Sequence, residues 1–122
     1  MVVLDSNIFI YLANGMLSGS CIEKVDVAYS IISQIETLGF HGIMASEQEL
    51  IEDLLNESIM LPLTPVIASK AVYLRKIYKM GLGDSIVAAT ALEYDVELWT
   101  ANVNDFKLLQ GLKIHNPLEV KS

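Results

Sequence analysis

The sequence predicts an α/β fold: a central, mostly parallel five-stranded sheet flanked by helices on both faces. Three observations predict it. Short apolar, β-branched runs alternate with helical stretches in the order β-α, β-α-α, β-α-α, β-α, β, a rhythm that builds parallel sheets covered by helices. The first run, Val2-Val3-Leu4, is apolar throughout, as expected of a strand buried on both faces. Acids recur just behind the apolar runs, starting with Asp5, and the carboxyl ends of such strands are where open α/β sheets place their ligands.

Each element has a local reason. After Asp5, the apolar segment Ile8 to Ala13 predicts a short buried helix stopped by Asn14-Gly15. Met16 to Lys24 reads as a loop with a helical turn, and Val25 to Ile32 as the second strand. Ser33-Gln34-Ile35-Glu36 and Ser46-Glu47-Gln48-Glu49 both have the capping-box spacing, in which serine and glutamate satisfy free helix N–H groups. Behind the second box, Leu50, Ile51, Leu54 and Leu55 form an apolar stripe, and Glu47, Glu49, Glu52, Asp53 and Glu57 a solvated face. Ser58 to Leu63 predicts an edge strand, and Thr64-Pro65 starts a helix with Ile67, Ala71, Leu74, Ile77 and Tyr78 at helical spacing. Arg75, Lys76 and Lys79 favour the negative end of that helix's dipole, or face an anionic substrate. Gly81-Leu82-Gly83 reads as a break that delivers Asp84 as cap of a helix from Ser85 to Tyr94. Val96 to Thr100 and Leu112 to His115 complete the strands, with Trp99 in the core and the polar cluster Thr100 to Phe106 between them.

Composition bounds the function. The chain has 122 residues, matching one domain (residues 1–122), and 52% of them are hydrophobic, enough to build a core. No apolar run approaches the roughly 18 residues that span a bilayer, and no basic segment precedes the first apolar run, so neither a membrane anchor nor a signal peptide is expected. The single cysteine, Cys21, excludes an internal disulfide, reads as a packing residue, and fits a cytoplasmic location. His41 and His115 read as surface or turn residues rather than metal ligands. The net charge of −7 opposes a nucleic-acid ligand, which calls for positive charge, unless a local basic face or acid-bound cations offset it.

Asp5, Glu36 and Asp105 each follow a strand, and Asp84 begins a helix. Each acid also has a helix-capping reading, but capping does not require acids behind strand after strand. Four carboxylates gathered on one sheet edge repel one another unless protonated or neutralised by cations. Hard divalent ions with oxygen ligands, Mg²⁺ or Mn²⁺, suit such a set, and they can activate water and stabilise an in-line phosphoryl displacement.

At these residues the chain resembles the PIN-domain nucleases, and among them the small VapC-type toxins of toxin–antitoxin pairs. The motifs are Leu4-Asp5-Ser6-Asn7, Ser30 to Glu36, Gly83-Asp84-Ser85-Ile86-Val87-Ala88-Ala89-Thr90-Ala91 and Thr100-Ala101-Asn102-Val103-Asn104-Asp105-Phe106. The resemblance implies a strand order of 3-2-1-4-5 and a metal-dependent endoribonuclease. Asp5, Glu36, Asp84 and Asp105 would bind the metal and carry catalysis, Asn7 and Asn102 would shape the site, and Thr100 would support it through its hydroxyl. It also implies an RNA substrate, a homodimer and an antitoxin that covers the groove. The competing reading is a non-catalytic acidic-pocket binding or scaffold module on the same fold. A phospho-accepting switch fits less well, because one acid stands at Leu4-Asp5-Ser6 where paired acids are wanted.

Overall fold

The computed structural model describes residues 1–119. In chain order the strands are β1 (Val2–Leu4), β2 (Val27–Ser30), β3 (Ile59–Leu61), β4 (Glu97–Trp99) and β5 (Ile114–His115). The helices are α1 (Ser6–Asn14), α2 (Ile31–Leu38), α3 (Ala45–Asn56), α4 (Pro65–Tyr78), α5 (Leu82–Tyr94) and α6 (Val103–Phe106), with a 3-10 turn at Gly19–Ile22. The strands form one sheet in the order β3-β2-β1-β4-β5, every pair parallel. Both the five-stranded class and the order expected from the resemblance therefore hold.

The sheet separates two apolar cores. On one face Val3, Ala28 and Leu98 pack with Ile67, Ala71 and Leu74 of α4 and the small residues of α5. On the other, Val2, Leu4, Tyr29 and Trp99 pack with Ile8 and Phe9 of α1 and Ile51 and Leu55 of α3. Alternate residues of β1 thus feed opposite cores, the reason its sequence is apolar without a break. Ala88, Ala89 and Ala91 of α5 are fully buried, and their small size lets that helix lie close to the sheet. Cys21 is half-buried against the second core, as a packing residue should be.

Several local expectations are corrected. β2 ends at Ser30, which stays extended and caps α2 itself, its Oγ accepting from Ile32 N at 3.3 Å. The helix therefore starts before Ser33, the Ser33–Glu36 box does not form, and Glu36 sits in the second turn. In α3 the extended Met44 takes the cap position without a side-chain bond, so Ser46 lies inside the helix rather than capping it. Leu50 of the expected stripe faces out, as does Ile77 in α4. Gly81 is the extended residue before α5, Gly83 is already helical, and Asp84 stands in the first turn instead of capping. His41 is exposed in a turn. His115 lies in the last strand as expected, at the end of β5, but is half-buried rather than a surface or turn residue, with its ring 4.8 Å from that of Trp99.

Starting α2 at Ile31 has a cost at Ser33, which is wholly buried with an Oγ that finds no hydrogen-bond partner among the described residues. A buried unsatisfied hydroxyl costs roughly 1–3 kcal/mol, and alanine is also the better helix former. Ser33→Ala is expected to raise the melting temperature in a thermal unfolding scan; a drop would show that the hydroxyl has a stabilising partner.

Candidate functional site

The parallel register dictates where the first two site residues meet. Leu4 of β1 lies beside Trp99 of β4, so the next residues, Asp5 and Thr100, emerge together at the carboxyl edge. Asp5 N donates to Trp99 O at 3.1 Å, and Thr100 Oγ1 donates to Asp5 Oδ2 at 2.5 Å. The other oxygen, Oδ1, accepts from Ile8 N at 3.1 Å and caps α1. Capping and membership of the site are therefore not alternatives for Asp5, because one carboxylate has two oxygens. Thr100 is fully buried, and its Oγ1 also accepts from Asn102 N at 3.0 Å.

The remaining residues arrive from flanking elements. Glu36 comes from α2, on the β2 side of β1. Ser6, the first residue of α1, donates its hydroxyl to Glu36 Oε1 at 2.7 Å. Helix α5 precedes β4 and runs back against the strand direction, which puts its first turn, with Asp84, at the carboxyl edge. Gly83 leaves room for the glutamate: a Cβ there would stand 2.6 Å from Glu36 Oε2. Asp105 lies in the first turn of α6, after β4.

These residues border two adjoining cavities. One, of about 260 Å³, is lined by Asp5, Ser6, Asn7, Glu36, Asp84 and Asn102 among others. The second, of about 470 Å³, is lined by Asp84 and Asp105. Asp84 is common to both. The structure thus brings Asp5, Glu36, Asp84, Asn7 and Asn102 round one groove, with Thr100 buried behind it and Asp105 across Asp84 in the next. Sequence reasoning assigned no role to Ser6, although it lies inside the quoted motif. Its bond to Glu36 joins residues 30 apart in the chain, and nothing in local spacing signals it.

The electrostatics centre on Asp84. Burial pushes the Asp5 carboxyl above its ordinary 3.8; the bonds from Thr100 and Ile8 work against this, and the Asp84 charge adds to it. Asp84 is exposed at the rim, yet the protein crowding it thins its hydration and raises its pKa, with Asp105 and Glu36 adding like-charge repulsion. A hard divalent cation suits this donor set in kind, since the four acids and the amides of Asn7 and Asn102 offer only oxygen ligands. The space kept at Gly83 for the Glu36 carboxylate suits it too. The spacing is more open than a ligand shell: among the described residues no three acidic, histidine or cysteine side chains are arranged to hold one ion. Carboxylates without a counter-charge repel and stand apart.

A family model described as PIN domain matches residues 2–111, and the chain belongs to the PIN domain family. It is 32% identical to Ribonuclease VapC10 of Mycobacterium tuberculosis over 123 residues, spanning 93% of this chain and 91% of that protein. Among solved structures it is similar to a toxin-antitoxin complex from Klebsiella pneumoniae, with a TM-score of 0.79 and 28% identity, covering 98% of this chain and 100% of that one. VapBC2 from Rickettsia felis, bound to a DNA fragment from its promoter, shares the fold with a TM-score of 0.82 at 20% identity, covering 95% and 98% of the two chains.

The raised pKa values fix the sign of a pH effect. The folded protein holds the Asp5 and Asp84 protons more tightly than the unfolded chain does. In metal-free protein these two groups therefore favour folding at low pH, and that contribution is lost as pH rises from about 3.8 through the raised folded-state values. Asp84→Asn removes the central charge, so at pH 7 without metal it is expected to melt above wild type. A lower melting temperature would show that Asp84 stabilises the metal-free fold.

Proposed function

We propose that this protein is an endoribonuclease that uses Mg²⁺ or Mn²⁺ to hydrolyse RNA phosphodiester bonds, and the toxin of a toxin–antitoxin pair. The observation that supports this reading is that four carboxylates border two adjoining cavities, Asp5, Glu36 and Asp84 in one and Asp84 and Asp105 in the other. Membership of the PIN domain family and the similarity to a protein named a ribonuclease support it.

Asp5, Glu36, Asp84 and Asp105 are the residues that would hold the metal. When bound, it polarises the phosphate and lowers the pKa of the attacking water. The chain's own groups prepare for that. Thr100 donates to Asp5 and so favours its ionised form, against the burial that opposes it. Ser6 orients Glu36 by donating its hydroxyl to Oε1. Asn7 and Asn102 line the groove, and their amides offer donors to the sugar-phosphate backbone.

The proposed partners follow from the neighbours. The Klebsiella structure is a toxin-antitoxin complex, and we extend to this chain an antitoxin that covers the groove, together with a homodimer and a cytoplasmic location. Among the described residues no helix is long and apolar enough to cross a membrane.

Two variants test the mechanism. Asp5→Asn keeps an oxygen to cap α1, and is expected to stay folded while losing metal-dependent cleavage of single-stranded RNA by a factor of 100 or more, on the order of losing one key electrostatic contact. Full activity in that variant would defeat the mechanism. Gly83→Ala forces Glu36 aside; it should leave the metal-free stability within about 1 kcal/mol of wild type but reduce the rise in melting temperature that millimolar Mn²⁺ gives the wild type. The scaffold reading gains if wild type neither gains stability from Mn²⁺ nor cuts RNA.

A further inference from the structure

The second cavity holds more than acids. Besides Asp84 and Asp105 it is lined by Lys79, Asn104, Tyr78 and Leu108, so it has a carboxylate wall, a cation, an amide and an apolar side. Its volume of about 470 Å³ falls within the roughly 300–1,000 Å³ of small-ligand sites. Leu108 is 75% exposed, an apolar side chain offered to solvent at the cavity's edge.

Among the described residues Lys79 is the cavity's one lining cation. It ends α4 in the left-handed conformation, φ 55° and ψ 49°, a place helices ordinarily give to glycine because a Cβ is disfavoured there. α5 ends in the same way at Asp95, φ 52° and ψ 50°, so the conformation fixes where the lysine leaves the helix, and its surroundings carry the argument. Lys70 and Lys113 are tied to Glu93 and Asp95 at 2.8 and 3.4 Å; among the described residues Lys79, like Arg75 and Lys76 beside it, has no ion-pair partner. It also lines the adjoining surface formed with Arg75 and Lys76, and Arg75 Nε donates to Met80 O at 3.3 Å, tying that helix end to the segment leading into α5. In a chain of net charge −7, positive charge thus collects beside the acids, continuous with them through the second cavity.

We propose that this cavity is the subsite for the nucleotide flanking the cleaved phosphodiester in single-stranded RNA, with Lys79 contacting its phosphate and the Tyr78–Leu108 side receiving the base. The proposal rests on the ribonuclease reading and adds the direction of the substrate: from the groove of Asp5 and Glu36, past Asp84, toward Arg75 and Lys76. Bases have an apolar face that such walls accept with little sequence preference, while the phosphate contact adds affinity that depends on salt.

The test is fluorescence anisotropy of a labelled 2′-O-methyl single-stranded RNA, titrated across salt concentrations with Mg²⁺ present. Lys79→Gln is expected to reduce the slope of log affinity against log salt by about 0.7, the value for one phosphate contact on a single strand. Lys24→Gln serves as the charge-matched control, since Lys24 precedes β2 and so lies at the opposite sheet edge; it should leave the slope unchanged. Lys79→Gly should lose the same slope while melting no lower than wild type, an outcome that a purely structural lysine would not give. Leu108→Ala should weaken binding at every salt concentration with its slope unaltered. A wild-type slope in Lys79→Gln, with wild type binding and cutting RNA, overturns the subsite and leaves the ribonuclease reading standing. Wild type that neither binds nor cuts RNA overturns both.

Discussion

The bond from Thr100 to Asp5 is the constraint on which the site depends. It exists because β1 and β4, far apart in sequence, are neighbours in a parallel sheet with Leu4 beside Trp99. The two residues that follow then emerge side by side, one with a buried carboxylate and the other with a buried hydroxyl. The same carboxylate caps α1, so the sheet, the first helix and the groove share one side chain. A slip of register would separate all three, and the two cores fed by alternate residues of β1 hold the register fixed.

Around that fixed point the fold gathers charge that it does not neutralise. Helices following strands begin at the carboxyl edge, and helices preceding strands begin there too when they run back across the sheet, so first-turn acids of α5 and α6 meet those behind β1 and β2. Burial and mutual repulsion raise the pKa values of Asp5 and Asp84. Such local conflict, set in an otherwise self-consistent fold, is characteristic of functional sites. Gly83 expresses the same compromise in the backbone, since a better helix former there would displace Glu36.

Much of this was legible in the chain. The apolar run of β1, the alternation of strands and helices and the acids behind them gave the fold class and the candidate acids, because periodicity and burial are local properties. The errors were local ones as well. Ser33-x-x-Glu36 and Ser46-x-x-Glu49 have the right spacing for a cap, but Ser30 and Met44 stay extended and occupy the cap positions first. The partial burial of His115 was not legible because its partner, Trp99, lies on a neighbouring strand.

By itself, then, the sequence determined that a parallel α/β sheet would form and which acids would stand near its carboxyl edge, since a strand's end and a helix's start are set by neighbouring residues. Tertiary structure alone decided how those acids relate: that Asp84 borders both cavities, that Ser6 reaches Glu36, and that Lys79 faces the same space as Asp105. Those relations join residues tens of positions apart, and only the order and register of the strands bring them to the same edge of the sheet.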